Sequence, residues 1–85
     1  MTMEVKEKLI KETMADITAA GYKQLMLSPR DVSEITGVSI STLDNWRRVG
    51  VGIEFKKMDT GTRGRVMYPK RAVAEWFISG NIKVA

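Results

Sequence analysis

Cysteine and histidine are both missing from the 85 residues of this chain. Without cysteine there can be neither a disulfide framework nor a thiolate metal site, which suits a reducing cytoplasm. Without histidine, the commonest general base and a common zinc ligand are lacking as well. The remaining acids, Glu54 and Glu75 among them, are scattered and show no pocket signature. The sequence therefore predicts no enzyme, no metal site and no cofactor.

Long apolar runs are lacking too, and none approaches the length needed to cross a bilayer. The N-terminus carries Glu4 and Glu7 where a secretory signal would have positive charge followed by an apolar stretch. A chain of this length suits one compact domain that buries only about two thirds of its unfolded surface. We expect a single cytosolic domain without a membrane partner.

Positive charge is concentrated in one part of the chain. The formal net charge is +4, and residues 1–26 contribute nothing to it because their four lysines offset four acids. Residues 45–71 carry eight cations against Glu54 and Asp59, a local balance of +6. A solvated basic face would explain any one pair of these cations, but their concentration favours a polyanionic partner.

The sequence LSPRDVSEITG, which ends at Gly37, has the signals of a short helix. Ser28 is its predicted N-cap, Pro29 fits the first helical position, and Asp31 suits the positive end of the helix dipole. Val32 and Ile35 are spaced to form a short inward stripe.

A second helix pattern begins after the predicted turn at Gly37. Ser39 is its predicted N-cap, and Gly50, which tolerates a left-handed backbone, is its predicted end. The three- and four-residue spacing predicts an inward face formed by Leu43, Trp46 and Val49. The predicted outward face carries Ser41, Thr42, Asp44, Asn45 and Arg48. Two capped helices with a glycine-containing turn fit a helix-turn-helix, although an ordinary helical hairpin has the same spacing.

An alternating pattern after the second helix predicts a hairpin. Ile53 and Phe55 alternate with charged residues as in a half-buried strand, and Val66 and Tyr68 alternate likewise. The segment between the two predicted strands contains the turn formers Asp59, Gly61 and Gly64, which indicate a glycine-rich loop. The hairpin also bears the cations Lys56, Lys57, Arg63 and Arg65. We interpret it as a basic wing.

Helices are predicted at both ends of the chain. Residues 2–20 have helical apolar spacing, and this near-neutral helix either packs on the core or forms a dimer or partner surface. Residues 22–26 form an extended lead-in or a strand that pairs with the wing. The last helix is predicted from Pro69 to Ser79. The cations at its start, which either hold a phosphate or are simply solvated, are Lys70 and Arg71.

The two tryptophans admit two interpretations. Trp46 and Trp76 have the flat rings on which nucleic-acid bases can stack. Their spacing within the two helix patterns places both on inward faces, however, and we interpret them as core residues.

The order of these pieces resembles the winged helix-turn-helix shared by phage excisionases, AlpA-like regulators and the DNA-binding domains of MerR-type regulators. The resemblance covers residues 25–79 and rests on STLDNWRRVGV, on the basic hairpin and on RVMYPKRAVAEWF. It implies that the helix after Ser39 enters a major groove while the wing touches the adjacent minor groove or its phosphates.

One departure from the MerR-type pattern concerns the positions after the Thr-Leu pair. Those domains tend to have a basic residue followed by an aromatic one, where this chain has Asp44 and Asn45. Asp44 would repel phosphate. It either accepts a hydrogen bond from a cytosine amino group or pairs with Arg47 or Arg48.

We therefore predict an α+β, mainly α fold, a small winged helix-turn-helix of three or four helices with a two-stranded β-hairpin wing. Residues 1–21 would form the N-terminal helix, residues 22–80 the winged DNA-binding domain and residues 81–85 a tail. The expected function is sequence-specific binding to double-stranded DNA. The predicted base-reading residues are Ser41, Thr42 and Asn45. The predicted phosphate-contacting residues are Arg47, Arg48, Lys56, Lys57, Arg63 and Arg65, with Lys70 and Arg71.

The biological role follows from the resemblance. No long dimerisation helix or effector domain follows the winged segment, which favours a small phage- or mobile-element-type regulator in the cytoplasm of a bacterial cell or phage-infected host. Such a protein would act as an excisionase or AlpA-like transcription regulator, or as a recombination directionality factor. A homodimer or cooperative assembly on DNA, and a recombinase or polymerase partner, are further expectations. The alternative is an adaptor subunit of a phage or plasmid packaging or replication machine, recruiting a partner protein through its N-terminal helix.

Overall fold

The computed structural model describes residues 2–60 and 63–79, apart from the side chains of residues 59, 60 and 63. In chain order the elements are α1 (Met3–Ala19), β1 (Met26–Leu27), α2 (Pro29–Thr36), α3 (Ile40–Val49), β2 (Lys56–Thr60), β3 (Arg63–Pro69) and α4 (Lys70–Ile78). The predicted loop residue Gly61 and the predicted tail, residues 81–85, lie outside the described residues.

Local signals set the ends of α2 as predicted. The Ser28 hydroxyl accepts from the Asp31 backbone N–H, and the Asp31 carboxylate accepts from the Ser28 N–H, so the two residues form a capping box. Gly37 ends the helix in a left-handed conformation with φ 79°. Val32 is buried and Ile35 packs against the core, which confirms the predicted inward stripe.

The sheet contains three antiparallel strands in the order β1-β3-β2. The prediction that Ile53 and Phe55 lie in the first wing strand is wrong, because β2 begins only at Lys56. Their alternation reflects burial instead, since Ile53 belongs to the core and the Phe55 ring lies 6.3 Å from that of Tyr68. The predicted loop was also too long, because the backbone of Asp59 pairs with that of Gly64 inside the hairpin.

One hydrophobic core joins all the helices to the sheet. Its buried members are Ile17, Leu27, Val32, Leu43, Ile53, Tyr68, Ala72 and Val73. Because Ile17 belongs to α1, the N-terminal helix contributes to the same core as the helix-turn-helix. The two helices α2 and α3, followed by the β2–β3 hairpin, form a small winged helix-turn-helix, as the sequence predicted.

A salt bridge ties α1 to α4. Both terminal nitrogens of the Arg71 guanidinium donate to the Glu7 carboxylate, at 2.8 and 2.6 Å. These hydrogen bonds hold the pKa of Glu7 below its ordinary value. A lowered pKa in the folded state means that the pair stabilises the fold above the unfolded pKa of about 4.3, and that this contribution is lost as the pH falls through the folded value.

We expect Glu7→Gln to lower the melting temperature at neutral pH and to reduce its fall between about pH 5 and pH 3. Thermal unfolding followed by circular dichroism across this range measures both effects. Glu12→Gln is the matched control, because Glu12 is an exposed carboxylate of the same helix. Equal pH profiles for the two variants would show that the Glu7 pair contributes nothing.

None of the helices in residues 2–60 and 63–79 is long and apolar enough to cross a membrane. The same residues contain no group of three carboxylates placed to hold a metal ion.

Candidate nucleic-acid interface

The helix α3 presents a polar stripe on the side away from the core. Its start is fixed by Ser39, whose hydroxyl accepts from the Thr42 backbone N–H at 3.1 Å, and Gly50 ends it with φ 77°. Leu43 is buried beneath it. Ser41 and Asn45, two of the three predicted base-reading residues, are exposed on its outer side.

The third predicted base-reading residue, Thr42, already takes part in a hydrogen bond at the start of α3. The Thr42 hydroxyl accepts a hydrogen bond from the Ser39 hydroxyl at 2.9 Å, and Thr42 is only half-exposed. Its oxygen therefore serves the helix cap. The prediction that Val49 closes the inward stripe is wrong, because Val49 is 62% exposed at the last position of the helix.

A hydrogen-bonded network links the surface of α3 to the core. Arg47 donates to the hydroxyl of Tyr68, a buried residue of β3, and to the Asp44 carboxylate at 3.2 Å. Its guanidinium carbon lies 5.9 Å from the ring centre of Phe55 and 5.8 Å from that of Tyr68, which suits cation–π attraction. The side chain is only 16% exposed. Arg47, predicted to contact phosphate, is thus directed inward.

The other oxygen of Asp44 forms an ion pair with Arg48. Nη2 of Arg48 lies 3.0 Å from Oδ2 of Asp44, and the Arg48 side chain is 76% exposed. Asp44 thus forms the predicted ion pairs, and it does so with both neighbouring arginines.

A cleft of about 330 Å³ separates α3 from the hairpin. Its lining comprises Asp44, Arg47, Arg48, Phe55, Lys57 and Val66. Arg48 of the helix and Lys57 of the hairpin therefore border one concave surface.

The hairpin has two unlike faces. Lys57 pairs with Val66 across the ladder, whereas Lys56 pairs with Met67 and Met58 with Arg65. Because side chains alternate between the faces of a strand, Lys56 and Arg65 lie on the face opposite to Lys57. Both are exposed. The backbone of Arg63 pairs with that of Thr60, and its side chain lies outside the described part of the structure.

The two predicted phosphate contacts at the start of α4 are not brought to this surface. Lys70 is only 3% exposed, and its amine donates to the Thr18 hydroxyl of α1 at 2.7 Å. Arg71 forms the salt bridge with Glu7. Both cations bind side chains of α1, which lies more than fifty residues earlier in the chain. A local sequence pattern therefore does not reveal that they are turned away from the cleft.

Sequence reasoning missed the close packing between α3 and the segment that leads to the hairpin. Gly52 has φ 87°, and a Cβ atom there would lie 2.5 Å from the Trp46 ring. Trp46 in turn packs against Trp76 of α4 at 6.1 Å between ring centres, in agreement with the interpretation of both as core residues. In the sequence, the contact between this segment and Trp46 is indicated by the glycine at position 52.

A capped recognition-type helix beside a basic hairpin defines a DNA-binding protein of the helix-turn-helix class. Family comparison matched residues 27–75, from β1 into α4, to the MerR HTH family regulatory proteins. The match covers more than half of the chain, and the protein belongs to this family. Neither the curated proteins nor the solved structures gave a match.

Proposed function

We propose that the protein binds double-stranded DNA in a sequence-specific way, with α3 in the major groove and the hairpin on the neighbouring backbone. The single observation that carries this proposal is the cleft between α3 and the hairpin, where Arg48 and Lys57 border one surface. A duplex laid across this cleft would meet cations from both elements. Ser41 and Asn45, exposed on α3, are then available to base edges.

Phosphate contacts in this arrangement come mainly from the hairpin. Lys57 borders the cleft, and Lys56 and Arg65 lie on the opposite face of the hairpin. In the proposed complex Lys57 contacts phosphates at the cleft, and Lys56 and Arg65 contact those beside the hairpin. The sequence prediction adds Arg63 to this set. Such contacts position the protein without reading sequence, and they make its affinity depend on salt.

The expected role is that of a small regulator of the phage or mobile-element kind, in transcription control or in assisting a recombinase. A single module of this size buries little surface on DNA. Paired sites, a homodimer or cooperative neighbours would therefore be needed for useful affinity. Recovery of a recurring motif, in one or two copies, by selection from random duplex DNA is the test of sequence-specific binding. Recovery of random sequence only would contradict the proposal.

Lys57→Ala should weaken binding to every duplex and reduce the slope of log K against log salt by about 0.9, the value for one lost phosphate contact. Fluorescence anisotropy between about 50 and 200 mM salt measures the slope. Lys8→Ala removes the same charge from an exposed position on α1 and serves as the control. If both variants shifted the slope equally, net charge rather than the cleft would account for binding.

A second candidate function is favoured by a groove on the other helices. It has a volume of about 540 Å³, its apolar lining includes Ile17, Ile35 and Phe77, and Asp16 and Glu34 are its charged residues. No residue of α3 or the hairpin lines it, so a partner protein could occupy it while DNA lies on the cleft. An adaptor subunit of a packaging or replication machine would use such a surface.

Mass measurement in solution separates the two candidates. A large ring favours the machine subunit, whereas a monomer or dimer favours the regulator.

A further inference from the structure

The carboxylate of Asp44 lowers the affinity for DNA if α3 enters the major groove. Asp44 shares the polar side of the helix with Ser41 and Arg48, at the three- and four-residue spacings that place side chains on one face. Its side chain is 45% exposed. A carboxylate facing a polyanion opposes binding to every sequence, because binding is dominated by phosphate neutralisation. A contribution of Asp44 to sequence preference would offset this loss of affinity.

A chain of two hydrogen bonds connects the carboxylate of Asp44 to the core. The buried Tyr68 hydroxyl accepts from Arg47, and Arg47 donates to one oxygen of Asp44 at 3.2 Å. The aromatic rings beneath the Arg47 guanidinium restrict it further. Asp44 is thus anchored by a side chain that is itself only 16% exposed. The second oxygen of Asp44 forms an ion pair with Arg48 at 3.0 Å.

This anchored carboxylate restricts an otherwise free arginine. A long exposed side chain loses rotamer freedom when it binds, and a partner that already holds it reduces that loss. Arginine has five N–H donors, so the ion pair with Asp44 leaves Arg48 able to donate two parallel hydrogen bonds elsewhere. Guanine presents two adjacent acceptors, O6 and N7, in the major groove, and arginine is their commonest partner.

We propose that Asp44 is a positioning residue that directs Arg48 to a guanine base, so that Arg48 determines specificity instead of contacting phosphate. The inference rests on the proposed DNA-binding function and refines it. Asp44 lowers the affinity for all DNA by its charge and raises the preference for one G·C pair through Arg48. Arg47 and Tyr68 act one step further from the base, by fixing the carboxylate.

The test compares the wild type with Arg48→Ala, Asp44→Ala and the double variant. Bound sequences are selected from random duplex DNA, and affinities are then measured for the selected duplex, for the same duplex with one guanine replaced, and for random duplex. Arg48→Ala should abolish the preference for guanine at one position, a loss of about tenfold or more. Asp44→Ala should reduce the same preference by about two- to fivefold, the range of an exposed ion pair, while affinity for random duplex rises.

The double variant should lose no more preference than Arg48→Ala alone, because Asp44 acts through Arg48. Asp44→Asn, which keeps the shape and one acceptor oxygen, should give an intermediate preference and supplies a folded variant if Asp44→Ala unfolds. Thermal unfolding of each variant accompanies the binding measurements.

Two results would overturn the inference, and they differ from each other. If Asp44→Ala strengthened binding to all duplexes equally and kept the full guanine preference, Asp44 would only repel phosphate, while the proposed function would stand. If the wild type itself showed no sequence preference, both the guanine reader and sequence-specific binding would be excluded.

Discussion

Gly52→Ala is expected to lower the free energy of unfolding by about 2–4 kcal/mol, the combined effect of a positive φ and of overpacking. Gly52 has φ 87°, and an added Cβ would lie 2.5 and 2.9 Å from two atoms of the Trp46 ring. Neither Trp46 nor the backbone can yield freely, because the indole packs against Trp76 and against the core. Chemical denaturation monitored by tryptophan fluorescence measures the loss.

Gly50→Ala separates the two contributions to this effect. Gly50 has a similar φ of 77°, but a Cβ there would meet nothing within 4 Å. Backbone strain alone should cost about 1–2 kcal/mol. If Gly50→Ala were as destabilising as Gly52→Ala, contact with the tryptophan would not be what requires glycine between α3 and the hairpin.

Arg47→Met should destabilise the fold by about 1–3 kcal/mol, because it leaves the buried Tyr68 hydroxyl without its donor while keeping most of the apolar side chain. The variant also removes one of the two ion pairs of Asp44. Denaturant unfolding gives the stability. The salt slope of DNA binding should stay close to the wild-type value, in contrast to Lys57→Ala, because the Arg47 guanidinium is engaged inside the protein.

Tyr68→Phe provides the partner variant for a double-mutant cycle. The Arg47→Met and Tyr68→Phe changes should be clearly less costly together than the sum of the two single changes, because both remove the same hydrogen bond. Strict additivity would indicate that the two side chains contribute independently. A salt slope reduced by a full charge in Arg47→Met would restore Arg47 as a phosphate contact.

The helix-turn-helix could be predicted because its signals are local. Ser28 and Ser39 cap backbone groups only three residues away, and Gly37 and Gly50 each end a helix in the left-handed conformation. These features depend on neighbouring residues alone, so a sequence pattern contains them. The sequence indicates pairing of Asp44 with Arg47 or Arg48 for the same reason, since these residues are three and four positions apart on one helix.

The roles of the cations could not be predicted in this way. Lys70 and Arg71 stand in a basic stretch, yet their partners lie on α1, 52 and 64 positions earlier in the sequence. The Arg47–Tyr68 bond spans 21 positions. Apolar alternation at Ile53 and Phe55 marked burial correctly but not strand pairing, which depends on hydrogen bonds to a second segment. Charge in a sequence therefore does not indicate which cations are engaged inside the protein and which are exposed.

The position of β2 in the sheet gives its lysines a second effect. With the order β1-β3-β2, β2 forms an outer strand, and no other strand among residues 2–60 and 63–79 covers its far edge, where another polypeptide could pair. Lys56 and Lys57 oppose such strand addition, because bringing two charged edges together is unfavourable. Replacing either lysine by valine would raise the strand propensity of this edge strand and promote aggregation. In a binding measurement, aggregation would look like a loss of affinity for DNA. Alanine or glutamine at these positions avoids that confusion.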